Sequence, residues 1–198
     1  AAFLLVHHQS SKVYYFDYGR YQTPYQYGRV RDDVSDPDVL VSLSAKFAGN
    51  EIVNLPELLQ ERFENKACHG DGMLTAAVIK NIDFENAYQK AKQLQKRELI
   101  PYGPFKINGS TCSRFVVQVV VEATDNWLTK LLIRFPYTIS ATPRSNKKVL
   151  NDLPFYYHVD DAGVHQYKNK WFCIKQFFTR KKKNFSFEKT TYEILCAK

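Results

Sequence analysis

The chain has 198 residues, 44% of them hydrophobic and 24% charged, and it is rich in aromatic residues, with 13 Tyr and 14 Phe. This composition excludes a disordered chain, and the length suits one domain with a buried core. No apolar run approaches the length of about 18 residues that a transmembrane helix needs, so none is predicted. The formal net charge of +8 is compatible with binding to nucleic acid or to an anionic membrane, so its distribution matters.

The first third of the chain predicts strands followed by a short helix. Two apolar or aromatic runs, AAFLLV (1–6) and VYYFD (13–17), are separated by a polar turn and predict two paired strands. The first run is too short, and lacks the preceding basic residue, for a signal peptide. A stretch with Pro24 and two glycines (19–33) predicts a loop, VLVSLSAKF (39–47) a short strand, and LPELLQERF (55–63) a helix.

The middle of the chain contains the clearest helix. MLTAAVI (73–79) predicts a strand, and the apolar residues of 84–97 recur on one face of a helix that Asp83 caps. The stretch 111–128 leaves two interpretations open. Its β-branched run favours a strand on propensity, whereas a helix starting at Cys112 would be apolar on nearly every side and therefore buried.

The last third predicts an irregular segment and a hairpin. Residues 136–154 contain three prolines, whereas 167–178 and 185–196 alternate apolar and polar residues around a TRKKKN turn. Residues 168–198, which we call the C-terminal basic strip, hold nine basic and two acidic residues, a net charge of +7. The other 167 residues hold 19 basic and 18 acidic residues, a net charge of +1. The positive charge therefore belongs to the strip rather than to the whole fold.

The four cysteines show no metal-binding or disulfide-scaffold pattern. They lie at Cys68, Cys112, Cys173 and Cys196, and no two have Cys-x-x-Cys spacing. We therefore expect neither a metal nor a cofactor, and a cytoplasmic location is the default expectation.

One segment, PYGPFKINGSTCSRFV (101–116), suggests chemistry. Cys112 follows a Gly/Ser/Thr turn and opens an apolar segment. If that segment is a helix, its free N–H groups and dipole favour a thiolate, which is a nucleophile. The alternative is a small cysteine that packs in the core.

The same segment resembles the catalytic motif of the NlpC-type papain-like superfamily, in which a Tyr precedes a Cys-Ser pair by about ten residues. The order of the elements is similar to that of the circularly permuted branch, which includes YiiX-like and YaeF-like hydrolases and lecithin:retinol acyltransferase-like enzymes. In that branch a His-bearing strand comes first, then a strand with a polar residue, an amphipathic helix and the Cys helix. The resemblance covers about residues 1–125.

The resemblance implies a role for several residues. Cys112 matches the nucleophile, Tyr102 the pocket tyrosine, and Asp17 the residue that orients the imidazole, while the N–H groups of Cys112 and Ser113 would stabilise an oxyanion. The family histidine would fall directly before Ala1, because AAFLLV matches the small and aliphatic residues that come after that histidine in the family. Among the histidines present, His69 in the CHGDG turn is the preferred candidate; the others are His7, His8, His158 and His165.

Three arginines next to Asp17 are candidates for substrate binding. Arg20, Arg29 and Arg31 alternate with tyrosines, and a planar guanidinium suits a carboxylate or phosphate. Asp17 could instead pair with Arg20, and the segment could be a solvated loop.

These observations predict an α+β fold with a permuted papain-like core. An antiparallel sheet would pack on the Cys-bearing helix and a second amphipathic helix. The core would span residues 1–160, and 161–198 would form a C-terminal hairpin extension of the same domain. The predicted function is a thiol hydrolase (amidase, peptidase or esterase) or an acyltransferase that acts on a small-molecule, peptide or acyl substrate through an acyl-enzyme on Cys112.

Two other functions compete with this one. The domain could be a catalytically inactive binding domain of the same fold, because no histidine precedes Ala1 in the sequence. The basic strip, which mixes Trp171 and five phenylalanines with lysines, could bind nucleic acid or an anionic surface. A solvated edge hairpin is the preferred interpretation of the strip.

Overall fold

An eight-stranded antiparallel sheet organises the chain, in the strand order β7-β3-β2-β1-β10-β6-β8-β9. The computed structural model describes residues 1–68, 72–135 and 140–169, and the backbone of 192–197. The sheet strands are β1 (Ala2–Val6), β2 (Val13–Gly19), β3 (Tyr27–Arg31), β6 (Leu74–Lys80), β7 (Ile100–Pro101), β8 (Phe155–Asp160), β9 (Gly163–Lys168) and β10 (Tyr192–Ala197). A separate small hairpin consists of β4 (Phe47–Ala48) and β5 (Glu51–Ile52).

Five α-helices accompany the sheet in the described ranges. They are α1 (Leu55–Glu64), α2 (Phe84–Gln95), α3 (Cys112–Ala123), α4 (Trp127–Arg134) and α5 (Pro143–Leu150), and a 3-10 turn spans Pro37–Val39. The predicted α+β class and antiparallel sheet are therefore confirmed. None of the helices that the structure describes is long and apolar enough to cross a membrane.

Strand β1 is buried on both faces of the sheet, which explains its uninterrupted apolar sequence. Phe3 and Leu5 face α2 and α3, in a core that includes Phe16, Tyr18 and Phe115. Leu4 and Val6 face the opposite side, where the helix α1 contributes its buried leucines. Helices therefore cover the sheet on both faces, and β1 lies between the two cores.

Helix α3 resolves the ambiguity of the apolar stretch 111–128. Thr111 caps it, its hydroxyl accepting the N–H of Arg114 at 3.2 Å. Phe115, Val116, Val119 and Val120 are at most 1% exposed. Packing of α3 against β1, β2, α2, α4 and α5 outweighs the strand propensity of its valines.

Three predicted elements differ from the structure. Residues 27–31 form β3 inside the predicted loop, and 143–150 form α5 inside the predicted irregular segment. The predicted strand at 39–47 is wrong, because its first residue ends a 3-10 turn and only its last residue lies in a strand.

The predicted terminal hairpin is wrong in its final strand. β10 pairs with β1 on one side and with β6 on the other, in the middle of the sheet. Residues 192–197 therefore belong to the sheet itself rather than to an appended hairpin. The rest of the predicted hairpin, from residue 170 to 191, lies outside the described residues.

Candidate active site

Cys112 is the first residue of α3 and is partly buried at the start of β1. Its Sγ lies 4.0 Å from the hydroxyl of Ser113. The amino group of Ala1 and the hydroxyl of Tyr102 are the other polar neighbours of the sulfur. The fold therefore gathers three polar groups around a thiol at the N-terminus of a helix.

These contacts change the acidity of the thiol. Burial raises the pKa of Cys112, but the charge and hydrogen bond of the Ala1 amino group lower it, as do hydrogen bonds from Ser113 and Tyr102. The net result is a Cys112 pKa below the ordinary thiol value. In contrast, burial raises the pKa of Cys68, which lies on the other side of the sheet against Tyr15. The structure thus distinguishes a thiol that ionises readily from one that does not.

The loop before Cys112 is held in a fixed shape by backbone hydrogen bonds. The N–H of Gly103 donates to the carbonyl of Ser110 at 2.9 Å, and the N–H of Ser110 donates to Pro101 at 2.9 Å. A Cβ at Gly109 would lie only 2.6 Å from the Pro101 carbonyl oxygen, so this close approach requires glycine. The loop consequently carries Tyr102 to the first turn of α3.

Tyr102 connects the thiol to an aromatic and cationic surface. Its ring stacks on Tyr18 with centroids 5.4 Å apart, and the guanidinium of Arg20 lies 5.4 Å from its centroid. Burial and the nearby Cys112 raise the pKa of Tyr102, so the phenol stays protonated near neutral pH. Tyr102, Cys112 and Ser113 thus lie together in the structure, and the roles assigned to them stay predictions.

Asp17 lies in a buried ion pair rather than against the Cys112 helix. One carboxylate oxygen accepts a hydrogen bond from Arg31 Nε at 3.0 Å. The other oxygen accepts hydrogen bonds from Arg31 Nη2 at 2.7 Å and from the hydroxyls of Tyr15 and Tyr21 at 2.8 Å each. Asp17 shares its face of β2 with Tyr15, whereas Phe16 and Tyr18 on the other face pack against α3.

Arg29 and Arg31 are both neutralised by carboxylates. Arg29 forms a bidentate pair with Asp36, with both distances 2.6 Å, and Arg31 is committed to Asp17. Arg20 has no carboxylate within 4 Å in the part of the chain that the structure describes. The expected pairing of Asp17 with Arg20 is therefore wrong, and Arg31 takes that place.

The described histidines lie away from the thiol. His7 hydrogen-bonds to Ser10, and the ring of His8 lies tilted against that of Phe47. His158 contacts Met73, and His165 contacts Asp160. His69, the preferred candidate, lies outside the described residues. Within the described ranges no cluster of His, Cys, Asp or Glu could hold a metal ion.

Two supporting residues escaped the sequence analysis. The Asn146 side chain donates to the carbonyl of Ser113 at 2.9 Å and ties α5 to the first turn of α3. The Tyr18 hydroxyl donates to the carbonyl of Ile100 at 2.9 Å and holds the loop that carries Tyr102. Tyr18 directly follows Asp17 in an aromatic strand, but nothing local marks Asn146.

The chain is a papain-like α+β domain. Its antiparallel sheet packs against a helix that begins at a cysteine, and a tyrosine lies beside the sulfur of that cysteine. The chain belongs to the family described as type VI secretion system effector TseH-like, whose model matches residues 1–128. The match includes β1, β2 and the whole of α3, and thus Asp17, Tyr102, Cys112 and Ser113.

The family confirms the resemblance at the level of papain-like cysteine hydrolases of the NlpC type. The assignment to the permuted branch stays a prediction. No curated protein and no solved structure matches the chain.

Proposed function

We propose that the chain is a thiol hydrolase that cleaves an amide or peptide bond through an acyl-enzyme on Cys112. The observation that carries this proposal is the position of the partly buried Cys112 thiol at the N-terminus of α3, with Ser113 and Tyr102 beside its sulfur. The free N–H groups of a helix N-terminus favour a thiolate, and this position is typical of catalytic cysteines.

In the proposed reaction the thiolate of Cys112 attacks the carbonyl carbon of the substrate. A C–S bond forms, and the π electrons of the carbonyl move to its oxygen. We propose the Tyr102 hydroxyl and the free N–H groups of Cys112 and Ser113, in the first turn of α3, as the donors that stabilise this oxyanion. Loss of one such donor typically lowers the rate about 10²–10³-fold. The bond to the amine then breaks, the amine leaves with a proton from a general acid, and water hydrolyses the thioester.

We propose that the general base is the residue bonded to the nitrogen of Ala1. The Ala1 nitrogen lies against the Cys112 sulfur, so a residue bonded to that nitrogen starts within contact distance of the thiol. In the register of the β1–β2 pair, Ala2 lies opposite Asp17, and the position before Ala1 falls on the same face. That face is opposite to α3, so we propose that such a histidine lies beside Asp17 and reaches Cys112 around the end of β1. His69 is the alternative source of the imidazole.

The family description supports a site of action outside the cell that makes the protein. Its members are described as type VI secretion system effectors. We propose that this chain is likewise secreted by such a system. This proposal takes precedence over the cytoplasmic default.

An activated ester tests the nucleophile without knowledge of the natural substrate. With p-nitrophenyl acetate, the thiolate displaces p-nitrophenolate and becomes acetylated. We expect a burst of about one equivalent per chain and an acetyl group on the tryptic peptide 107–114, whose only cysteine is Cys112. Cys68→Ala is the matched control and keeps the burst, whereas Cys112→Ala loses it.

A second experiment tests the base. A chain extended by Gly-His before Ala1 is compared with one extended by Gly-Ala. We expect faster turnover only in the histidine-bearing chain, with a pH dependence that reports an imidazole. Equal turnover in both chains would refute this position for the base. A burst that persists in Cys112→Ala would refute the proposed nucleophile.

A further inference from the structure

The two chain segments that border Cys112 contain cations but no acids. Residues 18–31 include three arginines, residues 99–114 include Lys106 and Arg114, and neither segment has an Asp or Glu. The segments are joined to each other: the Tyr102 N–H donates to the Gln26 carbonyl at 2.7 Å, and Lys106 Nζ donates to the Gln26 side chain at 2.8 Å. They therefore form one continuous surface beside the thiol.

Most cations of this surface keep an uncompensated charge. Lys106 and Arg114 donate only to neutral oxygens, those of Gln26 and Pro104. With Arg20 they form what we call the cationic rim. No member of the rim has a carboxylate within 4 Å among the described residues. The local potential is therefore positive and favours an anionic ligand.

Arg20 contacts the tyrosine that lies beside the reacting sulfur. Its guanidinium lies over the ring of Tyr102, whose hydroxyl contacts Cys112. The aromatic ring positions the planar guanidinium, and its exposed side chain leaves the hydrogen-bonding fork open. Arg29 and Arg31, the other two arginines of the segment, are already neutralised by Asp36 and Asp17.

We propose that Arg20 binds a carboxylate of the substrate next to the scissile carbonyl, so that the enzyme selects acidic acyl or peptidyl groups. This inference rests on the proposed function, because it takes Cys112 as the reacting atom. A guanidinium forms two parallel hydrogen bonds to a carboxylate, which supplies orientation as well as attraction.

Alkylation by two reagents of similar size tests Arg20 directly. Iodoacetate carries a carboxylate and iodoacetamide is its neutral analogue. In both reactions the thiolate forms a C–S bond and iodide leaves with the C–I electron pair. The rate at Cys112 is read from the tryptic peptide 107–114 by mass spectrometry, so the other cysteines do not interfere. The measured quantity is the ratio of the iodoacetate rate to the iodoacetamide rate.

We expect Arg20→Gln to lower this ratio about three- to tenfold, as for the loss of one charge several ångströms away in a partly solvated site. Arg20→Lys keeps most of the ratio because it keeps the charge. Lys46→Gln removes a charge from an exposed loop anchored at the opposite end of the β1–β2 pair, through the hydrogen bond of Ala45 to Ser11. It leaves the ratio unchanged. Salt at 0.5 M brings the wild-type ratio close to that of Arg20→Gln.

The failure of this inference is distinguishable from failure of the proposed function. If the rate ratio of Arg20→Gln lies within about twofold of the rate ratio of Lys46→Gln, the effect is well below the tenfold end of the electrostatic range. That result overturns the role of Arg20 and leaves Cys112 as nucleophile. If iodoacetamide reacts no faster with Cys112 than with Cys68, the nucleophile itself is refuted.

Discussion

The buried pair of Asp17 and Arg31 gives the strongest stability prediction. Arg31→Met removes both guanidinium hydrogen bonds, at 3.0 and 2.7 Å, from a carboxylate whose residue is 2% exposed. The hydroxyls of Tyr15 and Tyr21 remain but do not neutralise the charge. Removing one partner of a buried ion pair costs about 3–5 kcal/mol, because the other charge stays buried and unpaired. For a chain of this size that corresponds to a fall in Tm of roughly 10 °C.

A double-mutant cycle measures the interaction energy between Asp17 and Arg31 apart from their contacts with other residues. The free energy of unfolding is measured by urea titration for Arg31→Met, Asp17→Asn and the double variant. We expect the double variant to be less destabilised than the sum of the single variants, with a coupling of about 1–3 kcal/mol. Additive effects, or an Arg31→Met variant within about 1 kcal/mol of the wild type, would refute the buried pair as described.

The Asp17→Asn variant of that cycle also tests the role of Asp17 in turnover. If Asp17 orients the catalytic imidazole, Asp17→Asn lowers turnover in a histidine-extended chain even at temperatures where the variant is fully folded. If it serves only the ion pair, turnover in the folded variant equals that of the wild type.

Three further predictions concern the thiols and the packing around α3. Iodoacetamide labelling of Cys112 begins at lower pH than that of Cys68, because alkylation requires the thiolate and the pKa of Cys112 is lowered while that of Cys68 is raised; coincident pH profiles by mass spectrometry contradict this. Phe115→Ala, at a side chain 1% exposed, lowers the free energy of unfolding by about 3–5 kcal/mol in urea titration. Gly109→Ala destabilises by about 1–3 kcal/mol, because its Cβ would meet the Pro101 carbonyl oxygen, and it slows Cys112 labelling by displacing Tyr102.

The elements that could be predicted from the sequence are those with a clear local pattern. Strands β1 and β2 and helix α2 follow from apolar runs and periodicity, and Asp83 caps α2 as expected, accepting the N–H of Asn86 at 2.8 Å. Helix α3 could not be decided from its residues alone, since a helix buried on all sides and a buried strand have the same apolar composition. The tertiary contacts of Phe115 and its neighbouring valines decide it.

Non-local contacts explain what could not be predicted at the site. The proximity of Tyr102 to Cys112 followed from the family motif. The sequence places Arg20, Arg29 and Arg31 in one segment and gives no reason to separate them. Only the structure shows that Asp36 and Asp17 neutralise two of them and that Arg20 lies over Tyr102.

The position of β10 leads to a final prediction, about the division of the chain. A chain that ends after Asn169 retains all residues of the family match but lacks β10. β1 and β6 would then each present an unpaired edge in the middle of the sheet, although their side chains are buried on both faces. Unpaired buried backbone groups are costly, so we expect this chain to lose its cooperative urea transition. A synthetic peptide of residues 191–198 added in trans should restore the transition by re-forming the strand. If instead the shortened chain unfolds at the same midpoint as the full one, residues 170–198 are a dispensable extension and β10 does not hold the sheet together.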